Sequence, residues 1–262
     1  MSDQFIFSGR LSRRSFLGAS AAGAASMALA ACTTMDTAAP PPAAPAEPAM
    51  DSPEMMYAAR VDEGYQLPAI PISKVDPKFL RQVVPDPTGE KPGTIVVDTS
   101  QHFLYLVREG GRAIRYGVSL GKSGFEWTGS AVIQWKKKWP TWTPPSDMVK
   151  RDPKLAKYAE GMPPGPTNPL GARAMYLFRD GNDTMYRLHG TPAWDSIGKN
   201  ASSGCVRFMN QDIIDLYSRV NGVAPIHVRA NLSEAAKMTG TSGRATTTPI
   251  DAGLPGDAER LL

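Results

Sequence analysis

Cysteine and histidine are scarce in this chain of 262 residues, which has two cysteines and three histidines. Two cysteines are too few for the disulfide framework of a small secreted scaffold. The histidines lie far apart and no group of residues has metal-ligand spacing, so we expect neither a metal nor an organic cofactor. A glycine-rich phosphate-binding loop is also missing. The three histidines are His102, His189 and His227.

Charge of one sign is not in large excess, and no apolar run is long enough to span a membrane. The formal net charge is +4, and Arg10, Arg13 and Arg14 contribute to it from the N-terminal segment, so it indicates little about nucleic acid. The apolar stretch from Phe16 to Ala31 is shorter than the ~20 residues of a membrane-spanning helix. No repeat with the period of solenoids or propellers is visible.

The N-terminal segment is typical of an exported protein. Arg13 and Arg14 form a twin-arginine signature before the apolar stretch, which ends in the residues Leu29 to Cys32. This ending resembles the lipobox of bacterial lipoproteins, in which the cysteine is acylated and becomes the new N-terminus. The alternative is ordinary cleavage after an alanine. We expect residues 1–32 to act in export and the protein to lie in the periplasm, anchored to a membrane by a lipid on Cys32.

The remainder of the chain divides by composition. Residues 33–73 are rich in proline and alanine without apolar periodicity, and they predict an extended linker. Residues 231–262, rich in threonine, glycine and alanine, predict a disordered tail. The part between, residues 74–230, is long enough for one domain with a hydrophobic core and too short for two.

This domain has the pattern of a mainly β fold with a few helices. Apolar and β-branched segments around a glycine turn predict a hairpin within residues 94–120. A second hairpin is predicted around residues 180–182, and its second strand leads into His189. Residues 225–228 predict a closing strand. One late helix is predicted, with Asn210 as its N-cap.

Cys205 is the main candidate nucleophile, because a lipid on Cys32 would leave it as an unpaired thiol in an oxidising compartment. A cysteine nucleophile needs a base and backbone donors for an oxyanion. His189 can be the base, and Gly204 allows the turn that aims the amides. Arg207 and the N-terminus of the next helix would favour the thiolate. The alternatives are an inert core cysteine and a small-residue loop that merely holds one.

Three stretches of the chain resemble the family of YkuD-type L,D-transpeptidases, and together they span roughly residues 93–228. Histidine, glycine and cysteine match that family in order and in spacing. The resemblance implies a catalytic domain with a β-sandwich or barrel-like mixed sheet and no cofactor. The stretches are residues 94–107, residues 168–172, and the segment with His189-Gly190-Thr191, Ser196-Ile197-Gly198 and Ser202-Ser203-Gly204-Cys205-Val206-Arg207.

The resemblance also implies a role for each matched residue. Cys205 would be the nucleophile and His189 the general base, with the Gly190 carbonyl orienting the imidazole. The amides of Ser203, Gly204 and Cys205 would line the oxyanion hole. Ser203 stands where the family commonly has a second histidine, which leaves His189 as the only nearby base. Arg207 is either a carboxylate ligand or a structural brace.

We therefore expect a peptidoglycan L,D-transpeptidase that forms a thioester with a tetrapeptide stem, releases D-alanine and transfers the stem to an amine. The acceptor is a second stem or an envelope protein, and with water as acceptor the enzyme is an L,D-carboxypeptidase. A papain-like hydrolase is disfavoured because its cysteine precedes its histidine in the chain. A lipoprotein that binds peptidoglycan without catalysis is the other alternative, and Ser203 is the one residue that favours it.

Residues 135–165 form the least regular part of the predicted domain. They carry several tryptophans, lysines and prolines and have no periodicity. One interpretation is a surface excursion held in place by its tryptophans. The other is a lid over the active-site cleft, because long loops inside compact domains are often functional.

Overall fold

The computed structural model describes residues 50–121, 128–202 and 204–232. The segment predicted to act in export, Cys32, Ser203 and the tail from residue 233 lie outside the described residues. Among the described residues, no helix has the length and hydropathy needed to cross a membrane. The α-helices are α1 (Pro53–Met56), α2 (Ser146–Arg151) and α3 (Asn210–Arg219). The strands are β1 (Arg60–Asp62), β2 (Tyr65–Leu67), β3 (Gln82–Pro85), β4 (Ile95–Asp98), β5 (Phe103–Arg108), β6 (Arg112–Gly117), β7 (Leu120–Gly121), β8 (Gly129–Lys138), β9 (Arg173–Arg179), β10 (Asn182–Thr191), β11 (Asn200–Ser202), β12 (Val206–Met209) and β13 (Ala224–Arg229).

Nine of these strands form one mixed sheet in the order β12-β10-β9-β8-β13-β4-β5-β6-β3. β10 runs parallel to β12 and β13 runs parallel to β4, whereas β10 and β9, β9 and β8, and β8 and β13 are antiparallel. The pairs β1-β2 and β7-β11 form small separate sheets. The prediction of a mainly β fold with a few helices is confirmed, and the sheet is mixed as the resemblance implied.

Both predicted hairpins are present. β5 pairs with β6 across a turn in which Gly110 and Gly111 have φ values of 71° and 66°. Glycine adopts positive φ at no steric cost, which suits such a two-glycine turn. β9 and β10 pair across Asp180 and Gly181, and the second strand continues to His189 as predicted. The predicted closing strand is also confirmed, because β13 lies between β8 and β4.

The hydrophobic core lies between one face of the sheet and α3. Ile213 and Leu216 of α3 are fully buried in the same cluster as Leu188 of β10, Val206 of β12 and Ile226 of β13. Burial of such side chains stabilises the fold by ~25 cal/mol per Å² of apolar surface. Successive side chains on a strand point to opposite faces. The residues next to Leu188 in β10 and next to Val206 in β12 therefore lie on the face away from α3.

The N-terminal part of the described chain is packed on the domain, and the predicted linker is therefore too long at its C-terminal end. α1, β1 and β2 lie within the stretch predicted as linker, where Tyr57 is only 1% exposed. The Tyr57 hydroxyl donates to the Asp212 carboxylate at 3.0 Å and accepts from the Arg81 amide at 2.7 Å. A few isolated apolar anchors carry no periodicity, so composition alone did not distinguish this segment from a linker.

The irregular excursion begins later than the sequence predicted. β8 continues through Lys138, so the residues from Trp135 to Lys138 belong to the sheet. Trp139 and Trp142 are buried, in agreement with an excursion held by its tryptophans. At the other end, the fully buried Asn168 closes the excursion by donating from its amide nitrogen to three carbonyls. Those carbonyls belong to Pro140, Met162 and Pro163.

Candidate active site

The parallel pairing of β10 with β12 brings the predicted site residues together. Leu188 lies opposite Val206, and His189 lies opposite Arg207. Leu188 and Val206 belong to the core cluster, so His189 and Arg207 point to the other face of the sheet. Cys205 immediately precedes β12, and the alternation places it on that same face, two residues before Arg207, which lies opposite His189.

The imidazole of His189 is buried and held in one orientation. Its Nδ1 lies 2.6 Å from the carbonyl oxygen of Gly190, and His189 is 4% exposed to solvent. Because a carbonyl only accepts, Nδ1 carries the proton and Nε2 keeps its lone pair. Burial, with a smaller contribution from the charge of Arg207, lowers the pKa of His189 to about 4. At neutral pH the imidazole is therefore uncharged and hydrogen-bonded to Gly190, while its role as a general base stays a prediction.

Cys205 is half-buried and is in no disulfide among the described residues. Burial raises its pKa, and a hydrogen bond to the Arg187 backbone and the charges of Arg187 and Arg207 only partly offset this effect. Arg207 thus lowers the pKa of the thiol as predicted, but the increase caused by burial is larger. We infer that the thiol and the imidazole are both neutral in the resting protein, rather than thiolate and imidazolium.

The predicted help from the helix N-terminus is wrong, because β12 separates Cys205 from α3. Four strand residues span about 13 Å, whereas the effect of a helix dipole falls off within one turn. The predicted N-cap is also wrong, since Met209 occupies the cap position. The side-chain oxygen of Asn210 instead accepts from the Ala172 amide at 2.9 Å. Asn210 therefore joins α3 to the start of β9.

The turn before Cys205 has the glycine that its backbone requires. Gly204 has a φ of 147°, which a residue with a Cβ rarely adopts. This conformation agrees with the predicted turn, while the oxyanion role of the amides of Gly204 and Cys205 stays a prediction. Ser203, the third predicted oxyanion residue, lies outside the described residues.

Arg207 connects the site to Ser119, which immediately precedes β7. Its backbone exchanges two hydrogen bonds of 2.9 Å with Ser119, and its Nη1 donates to the Ala201 carbonyl at 3.4 Å. These contacts support the structural brace. Its Nε is buried without a hydrogen-bond partner among the described residues, so the guanidinium retains a donor for a carboxylate. Both predicted roles remain compatible with its position.

Arg187 is a site residue that sequence reasoning missed. It lies two residues before His189 on the same face of β10, and its side chain is 6% exposed. Its guanidinium makes a bidentate pair with Asp183, with N–O distances of 2.6 and 2.8 Å, and covers the ring of Tyr176 at 4.3 Å. Its charge lowers the pKa of Cys205. In the sequence, its position two residues before His189 on a predicted strand indicated that the two side chains share a face.

The described residues contain no group of three or more histidine, cysteine, aspartate or glutamate side chains that could hold a metal ion. The donors that the site does offer are the thiol of Cys205, the imidazole of His189 and the guanidinium groups of Arg187 and Arg207. This set suits acyl transfer through a thioester, with an uncharged base and nearby positive charge for a carboxylate or an oxyanion.

The chain is similar to proteins of one family. The sequence profile of YkuD, the L,D-transpeptidase catalytic domain, matches residues 92–243. The probable L,D-transpeptidase YbiS of Escherichia coli strain K12 is 32% identical over 164 residues, which are 60% of this chain and 49% of that protein. A putative L,D-transpeptidase of Fuscovulum blasticum is 40% identical over 92 residues, 34% of this chain and 43% of that protein. The chain thus spans about half the length of these curated relatives, or less.

Solved structures align with low TM-scores. An L,D-transpeptidase from Mycobacterium smegmatis aligns with a TM-score of 0.39 and 22% identity over 52% of this chain and 58% of that chain. A Brucella melitensis protein called a probable carnitine operon oxidoreductase aligns with a TM-score of 0.42 and 49% identity, over 58% of this chain and 94% of that chain. At these TM-scores the alignments add nothing to the match with the family profile.

Proposed function

Since this chain belongs to the YkuD family of L,D-transpeptidase catalytic domains, we propose that it is a peptidoglycan L,D-transpeptidase with Cys205 as nucleophile and His189 as base. The observation that carries the proposal is the register of β10 and β12. It puts His189 on the same sheet face as Cys205, with Nδ1 of its imidazole held by the Gly190 carbonyl.

The first half-reaction acylates the thiol. His189 Nε2 takes the proton of Cys205 as the sulfur attacks the carbonyl at the L-centre of diaminopimelate in a tetrapeptide stem. The bond from that carbonyl to the terminal D-alanine breaks, and the proton on His189 passes to the leaving amine. A thioester and free D-alanine result. Because thiol and imidazole start neutral, proton transfer accompanies the attack rather than preceding it.

The second half-reaction transfers the stem. An acceptor amine attacks the thioester, His189 accepts its proton, and the Cys205 thiol is restored when that proton returns to the sulfur. Amides of Ser203, Gly204 and Cys205 would stabilise the oxyanion in both steps. The acceptor is a second stem or an amine of an envelope protein. With water as acceptor, the same site is an L,D-carboxypeptidase.

The test is mass spectrometry of the purified chain mixed with tetrapeptide muropeptide, beside its Cys205→Ala variant. We expect release of D-alanine and either a stem adduct on Cys205 or a crosslinked dimer, all absent with the variant. Release of D-alanine with only a tripeptide product would indicate the carboxypeptidase. If both proteins retain peptidoglycan and neither is modified, the non-catalytic binding lipoprotein replaces this proposal.

We also propose that the protein acts in the periplasm, attached to a membrane through a lipid on Cys32. The lipobox-like ending of the apolar stretch and the proline-rich segment after it support this placement. Detergent phase partitioning of the expressed chain and of Cys32→Ser tests it. The unchanged chain should enter the detergent phase and the variant should stay in the aqueous phase. Equal partitioning of the two would indicate ordinary cleavage.

A further inference from the structure

A row of side chains extends from the catalytic strand pair to the exposed side of the sheet. Trp135 of β8 lies opposite Tyr176 of β9, which lies opposite Arg187 of β10. The Trp135 and Tyr176 rings are 4.9 Å apart, and the Arg187 guanidinium covers the Tyr176 ring at 4.3 Å. Arg187 in turn makes a backbone hydrogen bond with Cys205. The row therefore lies on the face of the sheet that carries the proposed nucleophile.

Trp135 is exposed in a way that the packing of the domain does not explain. Its side chain is 58% exposed, and it is the aromatic residue among the four exposed large hydrophobic residues of the described chain. A bulge in the pairing of β8 with β9 lies between Ile133 and Trp135. Ile133 is fully buried in the core, and the bulge turns Trp135 to the opposite face. Its contact with Tyr176 then holds the indole in a fixed orientation.

An exposed indole that packs against a tyrosine ring at an interplanar angle of 37° suits the apolar face of a sugar ring, on which several C–H groups point the same way. Tryptophan offers a large apolar surface together with an N–H donor for a hydroxyl. Neighbouring Lys137 is exposed, so the surroundings are polar, as expected for a ligand that is mostly hydroxyl and amide. A buried protein partner would instead require a larger apolar patch.

The spacing matches the substrate of the proposed function. Three strand-to-strand steps separate Trp135 from Cys205, which is about 14 Å. When the terminal D-alanine of a tetrapeptide stem leaves, three residues remain between the reacting carbonyl and the sugar. Three extended residues span at most about 11 Å, which brings the sugar to within about 3 Å of the indole, and the sugar ring itself covers that remaining distance.

We propose that Trp135 and Tyr176 form a sugar-binding ledge that holds the glycan of the donor strand while its stem occupies the Cys205 site. This inference rests on the proposed function for the identity of the stem. It adds that the donor is recognised as a glycan-linked stem and that a free tetrapeptide is the weaker ligand.

The experiment measures binding without catalysis, so that it does not depend on turnover. Calorimetry with the full chain carrying Cys205→Ala compares two ligands, free tetrapeptide and the disaccharide-tetrapeptide. We expect the disaccharide to tighten binding by about tenfold, a difference of ~1.4 kcal/mol. Adding Trp135→Ala should remove that difference and leave the affinity for the free tetrapeptide unchanged. Trp135→Phe should keep most of it.

Val223→Ala is the matched control, because Val223 is also an exposed hydrophobic residue, 63% exposed, but does not lie in the row. It should leave the difference intact, and circular dichroism should show that every variant is folded. Equal affinity for both ligands before any change at Trp135, or an equal loss for both ligands after it, overturns the ledge. Release of D-alanine by the chain with Cys205 tests the proposed function separately.

Discussion

The charge state of Cys205 is set by neighbours that act in opposite directions. Burial and the Asp183 carboxylate raise the pKa of its thiol, while Arg187 and Arg207 lower it. Arg187 is itself paired with Asp183, so the carboxylate offsets part of the guanidinium charge that would favour the thiolate. The resting site thus keeps a neutral, less reactive thiol.

Substitutions at Arg187 and Asp183 should change the thiol pKa with opposite signs. Arg187→Gln removes a positive charge and should raise the pKa of Cys205, whereas Asp183→Asn removes a negative charge and should lower it. The rate of Cys205 alkylation by iodoacetamide, followed from pH 6 to pH 10, measures both. A purely structural role for the pair predicts shifts of the same sign, and that result would contradict this account.

His189 should act as a base down to unusually low pH. Because burial lowers its pKa to about 4, protonation removes the free Nε2 lone pair only near that pH. We expect kcat/KM for D-alanine release to fall on the acid side near pH 4 rather than near pH 6.5. His189→Gln should lower kcat about 10²- to 10⁴-fold. An acid limb near pH 6.5 would show that the imidazole is solvated in the working enzyme.

At the scale of elements, the junction of β10, β9 and α3 fixes the proposed base. A Cβ added to Gly190 would lie 2.3 Å from the side-chain oxygen of Asn210, and one added to Gly171 would lie 2.2 Å from the same atom. Asn210 uses that oxygen to accept from the Ala172 amide. Both glycines are therefore required by close packing, which holds the Gly190 carbonyl against the imidazole.

Gly190→Ala should destabilise the domain and impair the site together. The added methyl group overlaps Asn210, and such overpacking costs about 1–3 kcal/mol. Chemical denaturation measures the loss of stability, and D-alanine release measures the site. Gly165→Ala is the control, because a Cβ there meets nothing within 4 Å. If the two variants are equally stable, the junction has room to relax and its proposed rigidity is wrong.

At the scale of the whole molecule, a buried polar network joins the segment of residues 57–81, which precedes β3, to α3. The network consists of Tyr57 and Arg81 from that segment and of Asp212 and Asp215 from α3. Arg81 lies 3.6 Å from Asp212 and 3.2 Å from Asp215. Breaking one member of such a network leaves another buried group without its partner, which is costly. Residues 57–81 are therefore a structural part of the domain.

This network should make stability depend on pH in a direction that Asp212 determines. Burial raises its pKa from 3.8 to about 7, against the opposing effects of Arg81 and Tyr57. Folding raises the pKa of this carboxyl. Its contribution to stability is therefore complete at a pH below its pKa in the unfolded state, and it is lost as the pH rises through its pKa in the folded state. From about pH 4 to pH 7 this contribution should fall by on the order of 3 kcal/mol.

Denaturation of the unchanged chain and of Asp212→Asn at several pH values measures this contribution as a difference. The advantage of the unchanged chain over the variant should shrink as pH rises. Asp215→Asn gives the opposite slope, because hydrogen bonds from Arg219 and Tyr116 and the charge of Arg81 outweigh burial and lower the pKa of Asp215, whose contribution is lost as pH falls. Parallel curves for the unchanged chain and Asp212→Asn would show that Asp212 keeps the same pKa in both states.

The sequence by itself determined the local features of this protein. Both hairpins follow from turn residues flanked by apolar strands, and α3 follows from its apolar spacing. Cys205 and His189 are candidate site residues from their residue types and positions, and the resemblance to the family implies their roles and that of Gly190. These features depend on residues that are near each other in the chain, so the local sequence pattern predicts them.

The tertiary structure alone decided what distant residues do to one another. Arg187 became a site residue because parallel pairing of β10 with β12 sets it beside Cys205, and Tyr57 turned a supposed linker into a packed segment by reaching Asp212. The thiol and imidazole are neutral because the fold buries them, although Arg207 and the following helix had suggested a thiolate. Strand register and burial arise from the whole chain, and no local spacing encodes them.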